Sequence, residues 1–139
     1  MIILDANVLS EMMRVERDRA FVRWILATDS AELFTTAIAQ AEILFGLALL
    51  PEGRRRNLLM GAIEEMFAEN FAGRILPFDS ASAEAYAAIA AQRRSLGHPI
   101  QPFDGQIAGI ARSRDAVLAT RNVKDFIECG LRLVNPWEA

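Results

Sequence analysis

The chain of 139 residues is 53% hydrophobic and carries a formal net charge of −3, a composition that disfavours disorder and predicts one domain over residues 1–139. It contains one cysteine and one histidine, so a disulfide framework and a zinc site built from Cys and His are excluded. No apolar stretch reaches the ~18 residues of a membrane span and the N-terminus lacks the basic segment of a signal peptide, so we expect a cytoplasmic protein without membrane contact.

The first thirty residues predict one strand and two helices. Residues 2–5 read as a strand buried on both faces, and this strand ends on Asp5. A short helix follows over residues 8–14, with Asn7 as its N-cap. An amphipathic helix is expected over residues 15–30, because its apolar side chains recur with helical spacing.

The remaining sequence alternates between short apolar strands and helices. Residues 32–36 predict a second strand, and residues 37–50 predict a mostly buried helix with Thr35 or Thr36 at its cap. Further along we expect a helix over 57–71, a strand over 74–79, an alanine-rich helix over 80–97, a helix over 105–115, a strand over 116–122, a short helix over 123–130 and an edge strand in 131–139. This alternation predicts an α/β fold with a parallel sheet of four to five strands and helices on both faces.

Three of the 18 acidic residues are difficult to place on a solvated surface. Asp5 follows a buried strand, and its alternative role as a helix cap is one that Asn7 can serve. Glu42 lies in the apolar helix, where an ionised carboxylate is costly unless it is paired or binds a metal, although it would be unremarkable if it pointed to water. Asp104 lies at the start of a helix, where helix capping is the competing interpretation.

These three carboxylates point to a metal site if the fold brings them together. Converging carboxylates repel one another, which raises their pKa values unless a cation is present. Oxygen ligands without His or Cys suit Mg²⁺ or Mn²⁺. Such an ion can activate water and stabilise charge on a phosphoryl oxygen, so the chemistry indicated is metal-dependent phosphodiester hydrolysis.

A family resemblance rests on five segments that follow one another along the chain. They are ILDANVLSE, TTAIAQAEILFGLALLPEGRRR, FAGRILPFD, PFDGQIAGIAR and VLATRNVKDF. No one of them is decisive, but their order and spacing over essentially the whole chain resemble PIN-domain proteins. The resemblance is strongest to the VapC/FitB-type toxins of bacterial toxin–antitoxin pairs.

The resemblance implies a ribonuclease that uses Mg²⁺ or Mn²⁺, with Asp5, Glu42 and Asp104 as its acidic catalytic and metal-binding residues. The family often has a fourth acid directly after the Thr-Arg pair, and this chain has Asn122 there. Asp125 would replace that acid only if the turn brings it back toward the site. Further residues that the resemblance implies as ligand-orienting or substrate-orienting groups are Asn7, Thr36, Thr120 and Arg121.

The resemblance also implies partners. These are an RNA substrate, a VapB/FitA-like DNA-binding antitoxin, and a second copy of the chain in a homodimer or a dimer of toxin–antitoxin pairs. An antitoxin helix would need an apolar groove, for which Phe21, Trp24, Leu47 and Leu50 are candidate lining residues.

Two alternatives stay open at this point. With Asn122 in place, the chain is also compatible with a PIN-like module that binds RNA or an antitoxin without cleaving RNA. An aspartyl-phosphate phosphatase would explain Asp5, but that class needs a second Asp two residues later, where this chain has Asn7.

Overall fold

Five parallel strands form one sheet in a computed structural model that describes all 139 residues. The strand order is β3-β2-β1-β4-β5, and β1 in the centre pairs with β2 on one side and with β4 on the other. The strands are β1 (Ile2–Leu4), β2 (Leu33–Thr36), β3 (Ile75–Leu76), β4 (Val117–Ala119) and β5 (Arg132–Val134). The predicted parallel sheet of four to five strands is therefore confirmed, with β5 at one edge.

Six α-helices connect these strands, together with short turns of 3-10 or π-helix. They are α1 (Ala6–Met12), α2 (Arg19–Ala27), α3 (Ala37–Ala48), α4 (Arg54–Glu65), α5 (Ser80–Ser95) and α6 (Pro102–Ser113). The additional turns are Ser30–Glu32, Met66–Asn70 and Val123–Phe126. None of the helices is long and apolar enough to span a membrane.

The burial of β1 shows that the sheet is covered on both faces. Consecutive residues of a strand point to opposite faces, and Ile3 and Leu4 both have no solvent exposure. Leu118 and Ala119 of the neighbouring strand β4 are also fully buried. This explains the unbroken apolar run at the start of the chain, which is typical of a central parallel strand between two layers of helices.

The alanine-rich helix α5 packs closely against α6, as its small residues predict. Gly109 of α6 lies so near α5 that a Cβ atom there would come within 2.6 Å of the Ser82 carbonyl oxygen. At Gly105 a Cβ atom would meet the Tyr86 ring at 2.7 Å. The two glycines therefore let α6 approach α5, and this contact fixes the position of the N-terminal end of α6.

The prediction that Asn7 caps the first helix is wrong. Helix α1 begins at Ala6, and Asp5 is its N-cap, with the Asp5 carboxylate accepting a hydrogen bond from the Ala6 amide at 2.8 Å. The chain turns directly from strand into helix, so no residue separates the last strand position from the cap. The second helix is also shorter than expected, because Asp18 caps it and residues 14–18 form a loop.

Helix α3 is less buried than its composition indicates. Only Ala39, Ile43 and Leu47 lie in the core, whereas Phe45 and Leu49 are 65% and 69% exposed. A helix that is apolar on all sides is expected to be buried, but the structure places no other element over this side of α3. The prediction of a mostly buried helix is therefore wrong for about half of its surface.

Two boundaries near the C-terminus also differ from expectation. Helix α6 begins at Pro102 rather than at Gly105, because proline suits the first turn of a helix, where its missing N–H is not needed. Asp104 therefore lies in the first turn of α6. The short helix expected over 123–130 is reduced to the 3-10 turn Val123–Phe126.

Candidate active site

The candidate site lies at the carboxyl ends of β1 and β4. The chain moves outward from β1 through β2 to β3 and then crosses back to β4, so the strand order reverses between β1 and β4. Ligands of open parallel sheets bind in the crevice at such a reversal. Asp5 directly follows β1, and Thr120 directly follows β4.

Asp5 is buried and held by hydrogen bonds on both oxygens. Its Oδ1 accepts from the Ala6 amide, and its Oδ2 accepts from the Thr120 hydroxyl at 2.8 Å and from Asn7 Nδ2 at 3.4 Å. Burial raises the pKa of Asp5, the bonds from Thr120 and Ala6 lower it, and the negative charge of Asp125 raises it again. The Asp5 carboxylate therefore has a fixed orientation, in surroundings that partly disfavour its ionised form.

Asn7 and Thr120 connect the two strand ends across the crevice. Asn7 Nδ2 also donates to Thr120 Oγ1 at 3.3 Å, and Asn7 Oδ1 accepts from the Arg121 amide at 3.2 Å. Thr120 Oγ1 accepts in addition from the Asn122 amide at 3.1 Å. The polar groups around Asp5 thus form one connected network, so the Asp5 orientation depends on both strand ends.

Arg121 extends from this network along the surface. Its guanidinium lies over the Trp137 ring at 4.9 Å from the ring centre, and its carbonyl oxygen accepts from Asn135 Nδ2 at 3.5 Å. These contacts hold an exposed positive charge next to the strand end that carries Thr120.

Glu42 reaches the site from α3. Thr36 caps this helix by accepting a hydrogen bond from the Ala39 amide at 3.0 Å, which is the cap that the sequence predicts. Glu42 Oε1 is buried and has no hydrogen-bond partner. Desolvation, followed by the negative charges of Asp5 and Asp104, raises the pKa of Glu42 to about 7.

Asp104 reaches the site from the first turn of α6. Desolvation, followed by the negative charges of Asp5 and Asp125, raises its pKa to about 6, and the Arg93 guanidinium acts in the opposite direction. No hydrogen bond to the Asp104 carboxylate is formed. Like Glu42, Asp104 is a half-buried acid that no group of the protein neutralises directly.

The structure thus brings Asp5, Glu42 and Asp104 within electrostatic reach of one another, and Asp125 within reach of Asp5 and Asp104. The turn after β4 does bring Asp125 back toward the site. The Asn122 side chain is exposed and makes no hydrogen bond, and Thr36 acts as a helix cap without contacting the four acids.

No group of three or more His, Cys, Asp or Glu side chains is arranged to enclose an ion. Mg²⁺ is commonly bound through one or two carboxylates and completed by water and phosphate, so a closed protein cage is not required. The orphaned Glu42 oxygen and the all-oxygen donor set fit such an ion.

The sequence suggests that Arg93 either guides phosphates toward the site or ends a helix in solvent, but the structure buries it beside the site. It is only 6% exposed and shares the buried face of α5 with Ser82 and Ile89. A signal was present, because Arg93 follows Ile89 by one helical turn, and an arginine is unusual on the buried stripe of an alanine-rich helix.

A comparison with known proteins identifies the family. The family model described as PIN domain matches residues 2–129. The chain belongs to the PIN-domain family. Two similar relatives are the VapC ribonuclease Y4jK of Sinorhizobium fredii, 41% identical with 99% of both chains covered, and Toxin FitB of Neisseria gonorrhoeae, 36% identical with 99% of both covered.

Solved structures agree with this assignment. A structure of FitAB bound to an IR36 DNA fragment matches with a TM-score of 0.92 at 36% identity, covering 99% of this chain and 96% of the other. The resemblance to VapC/FitB-type toxins that the sequence motifs indicate is therefore confirmed over nearly the full PIN domain.

Proposed function

We propose that the protein is the toxin of a type II toxin–antitoxin pair, a ribonuclease that hydrolyses RNA phosphodiester bonds with Mg²⁺ or Mn²⁺. The observation that carries this proposal is the convergence of Asp5, Glu42, Asp104 and Asp125 at the strand-order reversal. They come from four separate segments, and the pKa values of the first three are raised. Strongly perturbed acids in one crevice are typical of a catalytic site.

In this proposal Asp5 and Asp104 are the principal ligands of the ion, and Glu42 binds it directly or orients one of its waters. The unpartnered Glu42 oxygen supports this role, because a buried carboxylate oxygen without a donor is otherwise costly. A divalent ion bound there would supply an activated water and charge stabilisation on the phosphoryl oxygen.

The neighbouring residues orient these groups and the substrate. Thr120 and Asn7 donate to Asp5 and keep its carboxylate in one orientation, as partners of metal ligands commonly do. Arg121, fixed over Trp137, is placed to hold a phosphate of the RNA strand. Asp125 supplies the negative charge that Asn122 lacks.

The same proposal includes an antitoxin and a second toxin copy as partners. The FitB relative is known in a complex named FitAB on DNA, which supports a DNA-binding antitoxin for this chain as well. Phe21 and Leu47 lie in the core and are excluded as groove residues, whereas Leu44, Phe45 and Leu49 are exposed on α3 and suit an apolar partner helix. We place this activity in the cytoplasm, where the RNA substrate is found.

The test is cleavage of a mixed RNA pool by the purified chain, free of antitoxin, with Mn²⁺, with Mg²⁺ and with EDTA. We expect cleavage that requires the ion and that is lost in Asp5→Ala and Asp104→Asn. Asp115→Asn is the matched control, because Asp115 is a 99% exposed carboxylate just before β4, at the opposite end of the sheet. The control variant should cleave like the unchanged protein.

Failure to cleave with either ion, from folded protein, would contradict the nuclease proposal. It would favour a PIN-like module that only binds RNA or antitoxin, an alternative supported by Asn122 in the position of the fourth acid. Cleavage that persists in EDTA would also contradict the proposed site.

A further inference from the structure

Arg93 is a buried cation that connects three segments near the acidic site. From the last turn of α5, its Nε donates to the His98 carbonyl at 2.6 Å. Its Nη1 donates to the Asp125 carbonyl at 3.0 Å and to the Ile127 carbonyl at 2.9 Å. One guanidinium therefore ties α5 and the loop before α6 to the turn that follows β4.

The charge of Arg93 has no direct counter-ion, since this residue forms no salt bridge. A buried charge without a carboxylate partner is unusual, because its desolvation must be compensated by other groups. The three carbonyl oxygens and the C-terminal end of α5 provide part of this compensation. Arg93 also lines one cavity with Asp104, and its positive charge acts to lower the pKa of that acid.

The position of the Asp125 carboxylate depends on its backbone, because the side chain forms no hydrogen bond in the protein. Its turn is short, and the Asp125 amide donates to the Asn122 carbonyl at 2.9 Å. Arg93 binds this turn through two further carbonyls. Arg93, Asp104 and Asp125 also line the same cavity of about 210 Å³, so the cation and both acids face a common space.

We propose that Arg93 is a positioning residue for the nuclease site, holding the turn 123–127 so that Asp125 faces Asp104 and serves as the fourth acid in place of Asn122. This inference rests on the proposed function. It assigns Arg93 a role that lysine cannot fill, because the bonds come from two separate nitrogens, Nε and Nη1, and the single ammonium nitrogen of lysine cannot take both positions.

The experiment measures Mn²⁺ affinity of metal-free, antitoxin-free protein by titration calorimetry, for Arg93→Lys, Asp125→Asn and the double variant. We expect Arg93→Lys and Asp125→Asn each to weaken binding by about tenfold, the scale found when an outer partner of a metal site is removed. The double variant should bind no more weakly than Asp125→Asn alone, because Arg93 acts through Asp125.

Arg94→Lys is the matched control, since Arg94 is the exposed neighbour on the same helix, and it should leave Mn²⁺ affinity unchanged. The proposal would be overturned if the effects of Arg93→Lys and Asp125→Asn multiply, so that the double variant binds Mn²⁺ more weakly than Asp125→Asn alone. It would also be overturned if folded Arg93→Lys binds Mn²⁺ with unchanged affinity. An unchanged affinity in Asp5→Ala would instead contradict the proposed metal site itself, so the two failures are distinguishable.

A measurement on the unchanged fold covers the case in which Arg93→Lys does not fold. In the wild-type protein, nuclear magnetic resonance should show slowly exchanging guanidinium protons for Arg93, because they are buried and hydrogen-bonded. Their signals should shift on addition of Mg²⁺, and in Asp125→Asn the midpoint of this shift should move to an about tenfold higher Mg²⁺ concentration. Rapidly exchanging Arg93 protons, or an unchanged midpoint in Asp125→Asn, would contradict the positioning role.

Discussion

Asp5 and Glu42 belong to the same acidic site but are held in different ways. Asp5 accepts hydrogen bonds from Ala6, Thr120 and Asn7, whereas Glu42 has a buried oxygen with no partner. The β1–β4 side of the site is therefore complete within the protein, and the α3 side is incomplete without a cation. If the proposed function holds, we expect Asp5 to fix where the ion binds and Glu42 to gain its missing partner when the ion is bound.

Of the substitutions that test this difference, Asp5→Asn should have the largest effect. The amide keeps the shape of the side chain and the ability to accept from Thr120, but it removes the charge at the fixed side. We expect the rate of RNA cleavage to fall by more than ~100-fold, which is the largest loss usual when a residue that only orients a metal ligand is removed. Thermal unfolding without metal should show only a small loss of stability, because the amide has one acceptor oxygen where Asp5 accepts on both, and the removal of one repelling charge offsets part of that lost bond. A clear loss of stability would mean that Asp5 acts mainly as the cap of α1.

A smaller effect is expected when the support of Asp5 is removed and the acid is kept. Thr120→Val deletes the hydroxyl that donates to Asp5 and accepts from the Asn122 amide. We expect Mn²⁺ affinity to fall by about 10–100-fold. Folding stability should fall by about 1–3 kcal/mol, because buried partners lose their bonds.

Thr35→Val provides the matched control for this variant. The Thr35 hydroxyl is also fully buried and donates to the Leu4 carbonyl at 2.9 Å, but it does not contact the acidic network. It should reduce stability by a similar amount while leaving Mn²⁺ affinity intact. Equal losses of affinity in both variants would show that general destabilisation, and not the support of Asp5, is responsible.

The incomplete side of the site should be visible in the pH dependence of stability. The folded-state pKa values of Glu42 and Asp104 are raised to about 7 and about 6, so in this range the folded protein binds more protons than the unfolded chain. Their contribution to stability is therefore present at low pH and lost as pH rises through these values. Without metal, the melting temperature should fall between pH 5.5 and pH 8 more steeply than in Glu42→Gln.

Saturating Mg²⁺ should flatten this dependence, because the ion replaces the protons as the counter-charge of the acids. Calorimetry across the same pH range should correspondingly show Mn²⁺ affinity rising with pH. An affinity independent of pH would contradict the assignment of Glu42 and Asp104 to the ion site.

The smallest effect is expected for Asn122→Asp. This change restores the acid of the family pattern, but the side chain at position 122 is exposed and Asp125 already supplies a charge to the site. An exposed charge contributes about 0.5 kcal/mol, so Mg²⁺ affinity should increase by about twofold. An increase of a hundredfold would show instead that the β1–β4 side of the site lacks a fourth ligand and that Asp125 does not replace it.

The sequence predicted the fold well where one pattern dominates. The apolar run before Asp5 predicted the central strand, and Thr36 was correctly identified as one of two possible caps of α3. The prediction of the first helix cap failed because Asp5 and Asn7 are both good N-cap residues. Only the tertiary structure shows that Asn7 instead donates a hydrogen bond to Thr120. The neighbouring elements also determine which side of an all-apolar helix is covered. For this reason the sequence predicted too much burial for α3.

The acids could be selected from the sequence, but their convergence could not. Asp125 lies three residues after Asn122, and only the geometry of the turn brings it within reach of Asp5 and Asp104. Arg93 shows the same limitation, because its burial can be predicted from the sequence but its contacts cannot. Its position on the buried face of α5 is readable from helical spacing, but its three carbonyl partners come from segments far from it in sequence or outside any regular helix.

The bond between Thr120 and Asp5 joins residues 115 positions apart, and this separation determines when the site can assemble during translation. A growing chain that has left the ribosome only as far as α5 already carries Asp5 and Glu42. It does not yet carry Asp104, Thr120 or Asp125, and β1 has no β4 beside it. The acidic site can therefore assemble only after the C-terminal third of the chain has been synthesised, so a chain still being translated through α5 lacks the proposed nuclease centre.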